Sequence, residues 1–365
     1  MFNTQNVVYA TYLANLQRNS YTKAIVKARG ELNWSKDYTD FHEPPFQQPR
    51  SVLINNGKIG IEQGNDLLVY TIDGTFLYAL TSPAFFGEKA IASVKNFLLN
   101  YFDYDKNVLT ESIDIRGYEE FTALLLLRPL WDEIISATQY SGGPHREPPS
   151  FCVSRQPIDK FSATWLYEGE GAIKHAFLGN DEKTTIIIEG IKIITIDNAS
   201  GSRSENTPID YNLISTACLN LDNKLILTGT KQKEKTTVSV AAMVSLDGKE
   251  LWSLPINDPQ IPFPPACGND GLVFIIDNSK IKCIKDGNQN WDYPLTPVNE
   301  PRITISADNT LVLMNAKTLI VINQQGEKVF DKKISIENES FTAPPAIGDN
   351  GQIFVASNKK LYCFR

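Results

Sequence analysis

A unit of about forty residues recurs along this 365-residue chain, and that recurrence limits its fold more than any other feature. Two copies show it best: PPACGNDGLVFIIDNSKIKCIKDGNQNW, Pro264 to Trp291, and PPAIGDNGQIFVASNKKLYCF, Pro344 to Phe364. Each begins Pro-Pro, passes a Gly-centred polar turn and a β-rich stretch, turns again, and enters a second β-rich stretch. The runs 272–276 and 280–284 have the β-branched character of strands and no helical period. Asp270-Gly271, Asp286-Gly287 and Asn350-Gly351 read as hairpin turns, because Asp, Asn and Gly adopt positive φ at little steric cost.

Each unit closes with a glycine followed by an aromatic, as in Asp247-Gly248-Lys249-Glu250-Leu251-Trp252, Gln325-Gly326-Glu327-Lys328-Val329-Phe330 and Asp73-Gly74-Thr75-Phe76-Leu77-Tyr78. Gly30 to Trp34 repeats the pattern, and weaker copies end at Phe121, Trp165 and Ser204. The closing positions are then 34, 78, 121, 165, 204, 252, 291 and 330. Four short strands per such unit predict an all-β chain folded as a closed β-propeller of about eight four-stranded blades, with seven as the alternative.

After Phe330 only 35 residues remain, which hold three strand-like runs and no closing aromatic strand. The orphan closing strand lies at the other end, Lys23 to Trp34. The expected organisation is one propeller domain over residues 1–365, in which residues 21–34 complete the blade formed by 335–365. Such closure removes the free sheet edges that promote aggregation. Residues 1–20 are expected to pack on the propeller, as a short helix or an extra strand against the first or last blade. Trp34, Trp165, Trp252 and Trp291 are expected to lie between blades, where large rings interlock.

The Pro-Pro, Gly-Asp/Asn-Gly and Asp-Gly-x-x-x-Trp elements resemble the PQQ-like repeat of quinoprotein alcohol dehydrogenases and of the outer-membrane assembly lipoprotein family. The resemblance is clear over 210–365, moderate over 30–80 and poor over 85–165. It implies the propeller fold and not one function, since the fold hosts enzymes, scaffolds and lectins. A dehydrogenase of that kind would carry PQQ, a catalytic Asp, a calcium ion and adjacent cysteines. No Cys-Cys pair occurs here, and no cofactor is expected.

The remaining chemistry is sparse, and enzymatic activity is less favoured than binding. The three histidines, His42, His145 and His175, do not stand at metal-ligand spacing. Asp103, Asp105 and Asn107 place oxygen ligands at alternate positions, as calcium requires, but Val108 stands where an EF-type loop needs Gly. A polar hairpin turn is the favoured account, with calcium as the weaker one. Net charge is −7 and no long basic run occurs, so nucleic acid is not an expected partner. The longest strongly apolar run, Ala123 to Leu127, is too short for a membrane helix, and the N-terminus lacks the pattern of a secretory signal. Five scattered cysteines, Cys152, Cys218, Cys267, Cys283 and Cys363, without CxxC, read as reduced, largely buried thiols of a cytoplasmic protein.

The expected strand order puts short turns on one face and long loops on the other. The long set comprises Ser35 to Arg50, Tyr140 to Ser150, Gly229 to Thr237, Ile256 to Pro265 and Ile334 to Pro345. Irregular loops on a rigid scaffold are where binding concentrates. That face offers Tyr38, Phe41, His42, Phe46, Tyr140, His145, Arg146, Phe263 and Phe341 as candidate anchors for another protein. The expected function is a non-enzymatic binding module, such as a scaffold or a neutraliser of a partner. Two alternatives stand beside it. A carbohydrate- or small-ligand-binding propeller would use equivalent aromatics such as Phe46, Phe263 and Phe341 near Pro-Pro pairs. A central-channel enzyme would need recurring carboxylates or histidines on the innermost strands.

Overall fold

The computed structural model describes residues 8–9, 22, 24–37, 49–55, 57–63, 66–81, 83–86, 90–95, 98–103, 108–114, 121–129, 133–140, 150–157, 164–180, 183–208, 210–257, 264–295, 301–315 and 317–365. They form eight antiparallel sheets and no helix. Numbered in chain order and written from the innermost strand outward, blade 1 is Pro49–Asn55, Lys58–Gln63, Asp66–Thr71 and Phe76–Thr81. Blade 2 is Pro83–Phe86, Ala90–Lys95, Leu98–Asp103 and Val108–Asp114; blade 3 is Phe121–Pro129, Glu133–Tyr140, Ser150–Pro157 and Trp165–Glu170. Blade 4 is Ile173–Leu178, Thr184–Glu189, Lys192–Asp197 and Arg203–Asn206; blade 5 is Tyr211–Leu219, Leu225–Lys233, Thr236–Val244 and Glu250–Pro255. Blade 6 is Ala266–Cys267, Leu272–Asp277, Lys280–Lys285 and Asn288–Pro294; blade 7 is Arg302–Ile305, Leu311–Asn315, Thr318–Ile322 and Lys328–Lys333. Blade 8 joins Ala346–Ile347, Ile353–Ala356 and Lys360–Phe364 to Leu32–Asp37 from the other end of the chain. The count is eight, and the seven-blade alternative falls.

The middle strands sit between neighbouring blades, so both of their faces are covered. Every residue of Leu272–Asp277 is buried for that reason, and such strands read as continuous apolar runs. The apolar clusters lie at the seams. Phe177, Ile186 and Ile188 meet Ile214, Leu219 and Leu227 between blades 4 and 5. Blades 5 and 6, 6 and 7, and 7 and 8 share comparable clusters. Val52, Ile61 and Tyr70 of blade 1 meet Phe354, Leu361 and Cys363 of blade 8, which brings the ring round to its start.

A second device repeats at the outer end of each seam. A bulge between the third and outermost strands precedes the closing aromatic, as at Met243/Val244, Cys283/Ile284 and Val321/Ile322. The bulge turns the aromatic onto the glycine that precedes the next blade's outermost strand. A Cβ on Gly287 would lie 2.8 Å from Cβ of Trp252, and one on Gly326 would lie 2.8 Å from the Trp291 ring. Trp34 covers Gly74 in the same way. The indole N–H of Trp291 also donates to the Gln324 carbonyl at 2.9 Å. Phe330 of blade 7 lies against Gly30, whose φ of +83° matches the +84° of Gly74 and Gly248 although no covalent turn precedes it. The chain end supplies the missing turn, since Glu31 and Arg365 exchange backbone hydrogen bonds at 3.1 and 2.9 Å.

Three expectations need correction. Phe121 does not close a unit: the outermost strand of blade 2 is Val108–Asp114, and Phe121 opens blade 3. The weak glycine-aromatic signal there hid the boundary. The closing strand is Leu32–Asp37 and not Lys23 to Trp34. Upstream of it, Ala24 accepts from Ala307 N and Lys27 N donates to Gly351 O, so this segment crosses the inner turns of blades 7 and 8. Of residues 1–20, Val8–Tyr9 pairs with Pro83–Phe86 as an extra strand on blade 2, and not on the first or last blade. The other residues of that segment lie outside the described ones, as does Trp131. No described helix is long and apolar enough to cross a membrane.

Two predictions follow from the turns. Gly271 and Gly287 have nearly the same φ, +72° and +76°, but a Cβ at Gly271 meets nothing within 4 Å. Gly271→Ala therefore carries only the left-handed cost of about 1–2 kcal/mol, whereas Gly287→Ala adds an overpacking cost of about 1–3 kcal/mol against Trp252. Urea midpoints of the two variants should differ in that order. Asp73 accepts from the Thr71 hydroxyl and Asp247 from the Ser245 hydroxyl, and these bonds hold both carboxyls below the ordinary range. A depressed folded-state pKa contributes stability above the unfolded value, and that contribution is lost as pH falls through the folded one. The thermal midpoint should fall as pH drops below about 4, and Asp73→Asn with Asp247→Asn should flatten that limb.

Candidate interaction face

The strand order puts the connections between successive blades, and the turns from second to third strand, on one face. The strand ends at Asp37 and Pro49, at Tyr140 and Ser150, and at Pro255 and Ala266 open onto that face, and the described segment 334–345 falls there. The opposite face carries compact turns, such as Asp270-Gly271 and Asp286-Gly287, with both residues at positive φ. One member of the expected long-loop set needs correction: Gly229 to Thr237 is strand that pairs up to Lys233 and Thr236, with only Glu234-Lys235 as the turn.

The described part of this face shows how the long loops are rooted. Two of them, entering blades 6 and 8, bond to the end of that blade's second strand. Asp277, wholly buried, accepts from the backbone N–H and side-chain amide of Asn257 at 2.9 and 3.0 Å. Lys282 donates to the same carboxylate at 2.6 Å. At blade 8 the loop 334–345 folds onto Ser357 to Lys359. Glu339, also wholly buried, accepts from Ser357 Oγ at 2.5 Å and from Tyr362 OH at 2.7 Å. Burial, together with that bond, pushes the Tyr362 phenol well above its usual range. Asn358 accepts from Ser340 N–H and donates to the Asn338 carbonyl, each at 3.0 Å. Asp277 is tolerated in the interior because a cation and two amide donors pair it, whereas both bonds to Glu339 fall on Oε1 and leave the buried Oε2 without a partner among the described residues.

Of the candidate anchors, Tyr38, Phe41, His42, Phe46, His145, Arg146 and Phe263 lie outside the described residues. Tyr140 ends the second strand of blade 3 and pairs with Ser150, at the edge of this face. Phe341 is placed differently from expectation. It is 7% exposed, bridges to Ser357 and sits edge-to-face on Tyr362 at 6.1 Å. Its ring pins its own loop to blade 8 and is not an open contact residue. Asp103 ends the third strand of blade 2, while Asp105 and Asn107 lie outside the described residues. Lys231, grouped in the sequence with Lys233 and Lys235 as a solvated patch, is instead engaged. It donates to Glu250 at 2.7 Å and lies 5.2 Å from the Tyr211 ring.

Asp277 and Glu339 escaped the sequence reading. One signal was available: Asp277-Asn278-Ser279-Lys280 aligns with Ser357-Asn358-Lys359-Lys360, so the polar strand end recurs. Glu339 has no counterpart in that register, because it reaches Ser357 from a loop of its own length.

No protein-family model matches the chain, and no curated protein matches its sequence. Among solved structures it is similar to Hsv2 of Kluyveromyces lactis, with a TM-score of 0.51 and 9% identity over 79% of this chain and 99% of that one. It is also similar to the WD40 domain of Neurospora crassa Pan2, with a TM-score of 0.51 and 10% identity over 93% of this chain and 96% of that one. At such identity the likeness shows the β-propeller fold and nothing finer.

A prediction follows from the loop roots. Asp277→Ala leaves the Lys282 ammonium and the Asn257 amide without their shared acceptor. Breaking such a buried pair is worth about 3–5 kcal/mol. Limited proteolysis should show new cleavage within 256–265 while the rest of the chain stays resistant.

Proposed function

We propose that this protein is a binding module that holds another protein on the long-loop face of its propeller. The observation that carries the proposal is that connections unequal in length leave the strands toward one face, and that two of them are rooted by buried polar bonds. A rigid root with a variable tip is the arrangement by which loops present contact residues without large ordering cost. Tyr38, Phe41, His42, Phe46, Tyr140, His145, Arg146 and Phe263 are the proposed contact residues. The fold likeness to a WD40 domain agrees with this reading and names no partner. An assembly scaffold and a neutraliser of a partner protein both fit this class.

The two alternatives fit less well. The ligand-binding propeller relied on equivalent aromatics, and Phe341 is buried against Tyr362. The channel enzyme required recurring carboxylates or histidines on the innermost strands. Those eight strands carry no Asp or Glu and one histidine, His175, which stacks on Phe177 at 6.0 Å.

Affinity capture with mapped cross-links tests the proposal. The wild type is compared with a variant carrying Phe41→Ala, His145→Ala, Arg146→Ala and Phe263→Ala, and with a control carrying Asp222→Ala and Lys249→Ala on the opposite face. Circular dichroism confirms that each is folded. The expected outcome is one partner protein retained by wild type and control, cross-linked to the long-loop face, and reduced at least about tenfold by the first variant, a loss of about 1.4 kcal/mol or more. Retention by the first variant and loss by the control would reverse the face assignment.

A further inference from the structure

The inner ends of blades 4 to 8 share one register, set by a backbone hydrogen bond that closes each first turn. The donors are Gly179, Asn220, Gly268, Ser306 and Gly348. The residue before each donor is Leu178, Leu219, Cys267, Ile305 and Ile347, and the residue before that is Phe177, Cys218, Ala266, Thr304 and Ala346. At the seams from blade 4 to blade 7 the second of these positions in one blade faces the first in the next. Phe177 meets Leu219 between blades 4 and 5, and Ala266 meets Ile305 between blades 6 and 7. Between blades 5 and 6 the same pair is Cys218 and Cys267. Their Sγ atoms are 3.4 Å apart, and both residues are 0% exposed.

We propose that Cys218 and Cys267 are a cross-linking site, a redox-controlled staple across the seam between blades 5 and 6. A disulfide needs the sulfurs, now 3.4 Å apart, to approach to about 2.05 Å. The pair is specific. The other cysteines, also buried, are placed elsewhere: Cys152 on blade 3, Cys283 in the seam cluster of blades 6 and 7, and Cys363 beside Asn33 at 3.9 Å. The two thiols stand 49 residues apart in sequence, so a link between them constrains a long loop of the unfolded chain. Ile256, the first residue of the connection between these blades, belongs to the same cluster, so the staple bears directly on the root of that loop.

The reaction consumes a hydroperoxide. One thiolate attacks the peroxide oxygen, giving a sulfenic acid and, from hydrogen peroxide, water. The second thiol then attacks that sulfur and expels a second water. Overall, two thiols and one hydrogen peroxide give one disulfide and two waters. Burial and the adjacent Cys267 hold the Cys218 thiol well above its usual range, so reaction in the closed seam is slow. It proceeds when the seam opens or while the ring is closing, and the product is then shielded from reductants.

The test uses the full chain exposed to hydrogen peroxide, once folded and once during refolding from urea. The chain is then unfolded and its remaining thiols are alkylated and counted by intact mass. The expected result, in at least one of the two states, is a fall from five reactive thiols to three. Peptide mapping should show a dithiothreitol-sensitive link between Cys218 and Cys267, and the linked chain should have a raised urea midpoint. Cys218→Ala, which installs the residue that blade 6 carries at Ala266, should keep all its thiols reactive. Should that variant fail to fold, the wild-type map alone decides. Five reactive thiols after both treatments overturn the proposal. So does a link through another cysteine, sulfinic acid at either position without a link, or a linked chain whose midpoint is unchanged.

Discussion

The structure depends on one contact, an aromatic ring seated on a left-handed glycine of the next blade. Trp34 on Gly74, Trp252 on Gly287, Trp291 on Gly326 and Phe330 on Gly30 are versions of it. Each requires a residue without Cβ on one side and a large flat ring on the other. The backbone bulge before the ring explains why Leu77, Leu251 and Val329 are exposed: each is the extra residue of the bulge, turned outward. The contact has a direction, from each blade to the next, so it can propagate round a ring.

The last of these contacts carries the closure. A propeller made by one chain must join its ends somewhere, and here the outermost strand of blade 8 is borrowed from the N-terminal side. Gly30 adopts the conformation of a turn glycine with no turn before it, and Arg365 and Glu31 complete the ladder where the chain is interrupted. Ala24, Val26 and Ala28 add apolar contact at the seam of blades 7 and 8. Closure therefore rests on backbone pairing, side-chain burial and the ring on glycine together.

The polar network on the long-loop face does a different job. Asp277 and Glu339 lie where a loop leaves solvent and enters the sheet stack, so their bonds set how the loop departs and leave its tip free to vary. A buried carboxylate with several donors is more directional than an apolar contact, because misplacing any donor leaves charge unsatisfied.

The fold was legible from the repeats because each blade must spell the same physical solution: two buried strands, positive-φ turns and a closing aromatic on glycine. Seven of the eight closing positions fall within or next to observed outermost strands, and the failure at Phe121 came where the glycine-aromatic signal was weakest. Local rules of that kind are carried by residues near one another in sequence. What crosses between blades was decided only by the tertiary structure. Phe341 looked like an exposed anchor until Tyr362 covered it, and Cys218 and Cys267 looked unrelated until two registers brought them together. Their meeting depends on the rotation of one blade against the next, and no spacing within a single repeat encodes it.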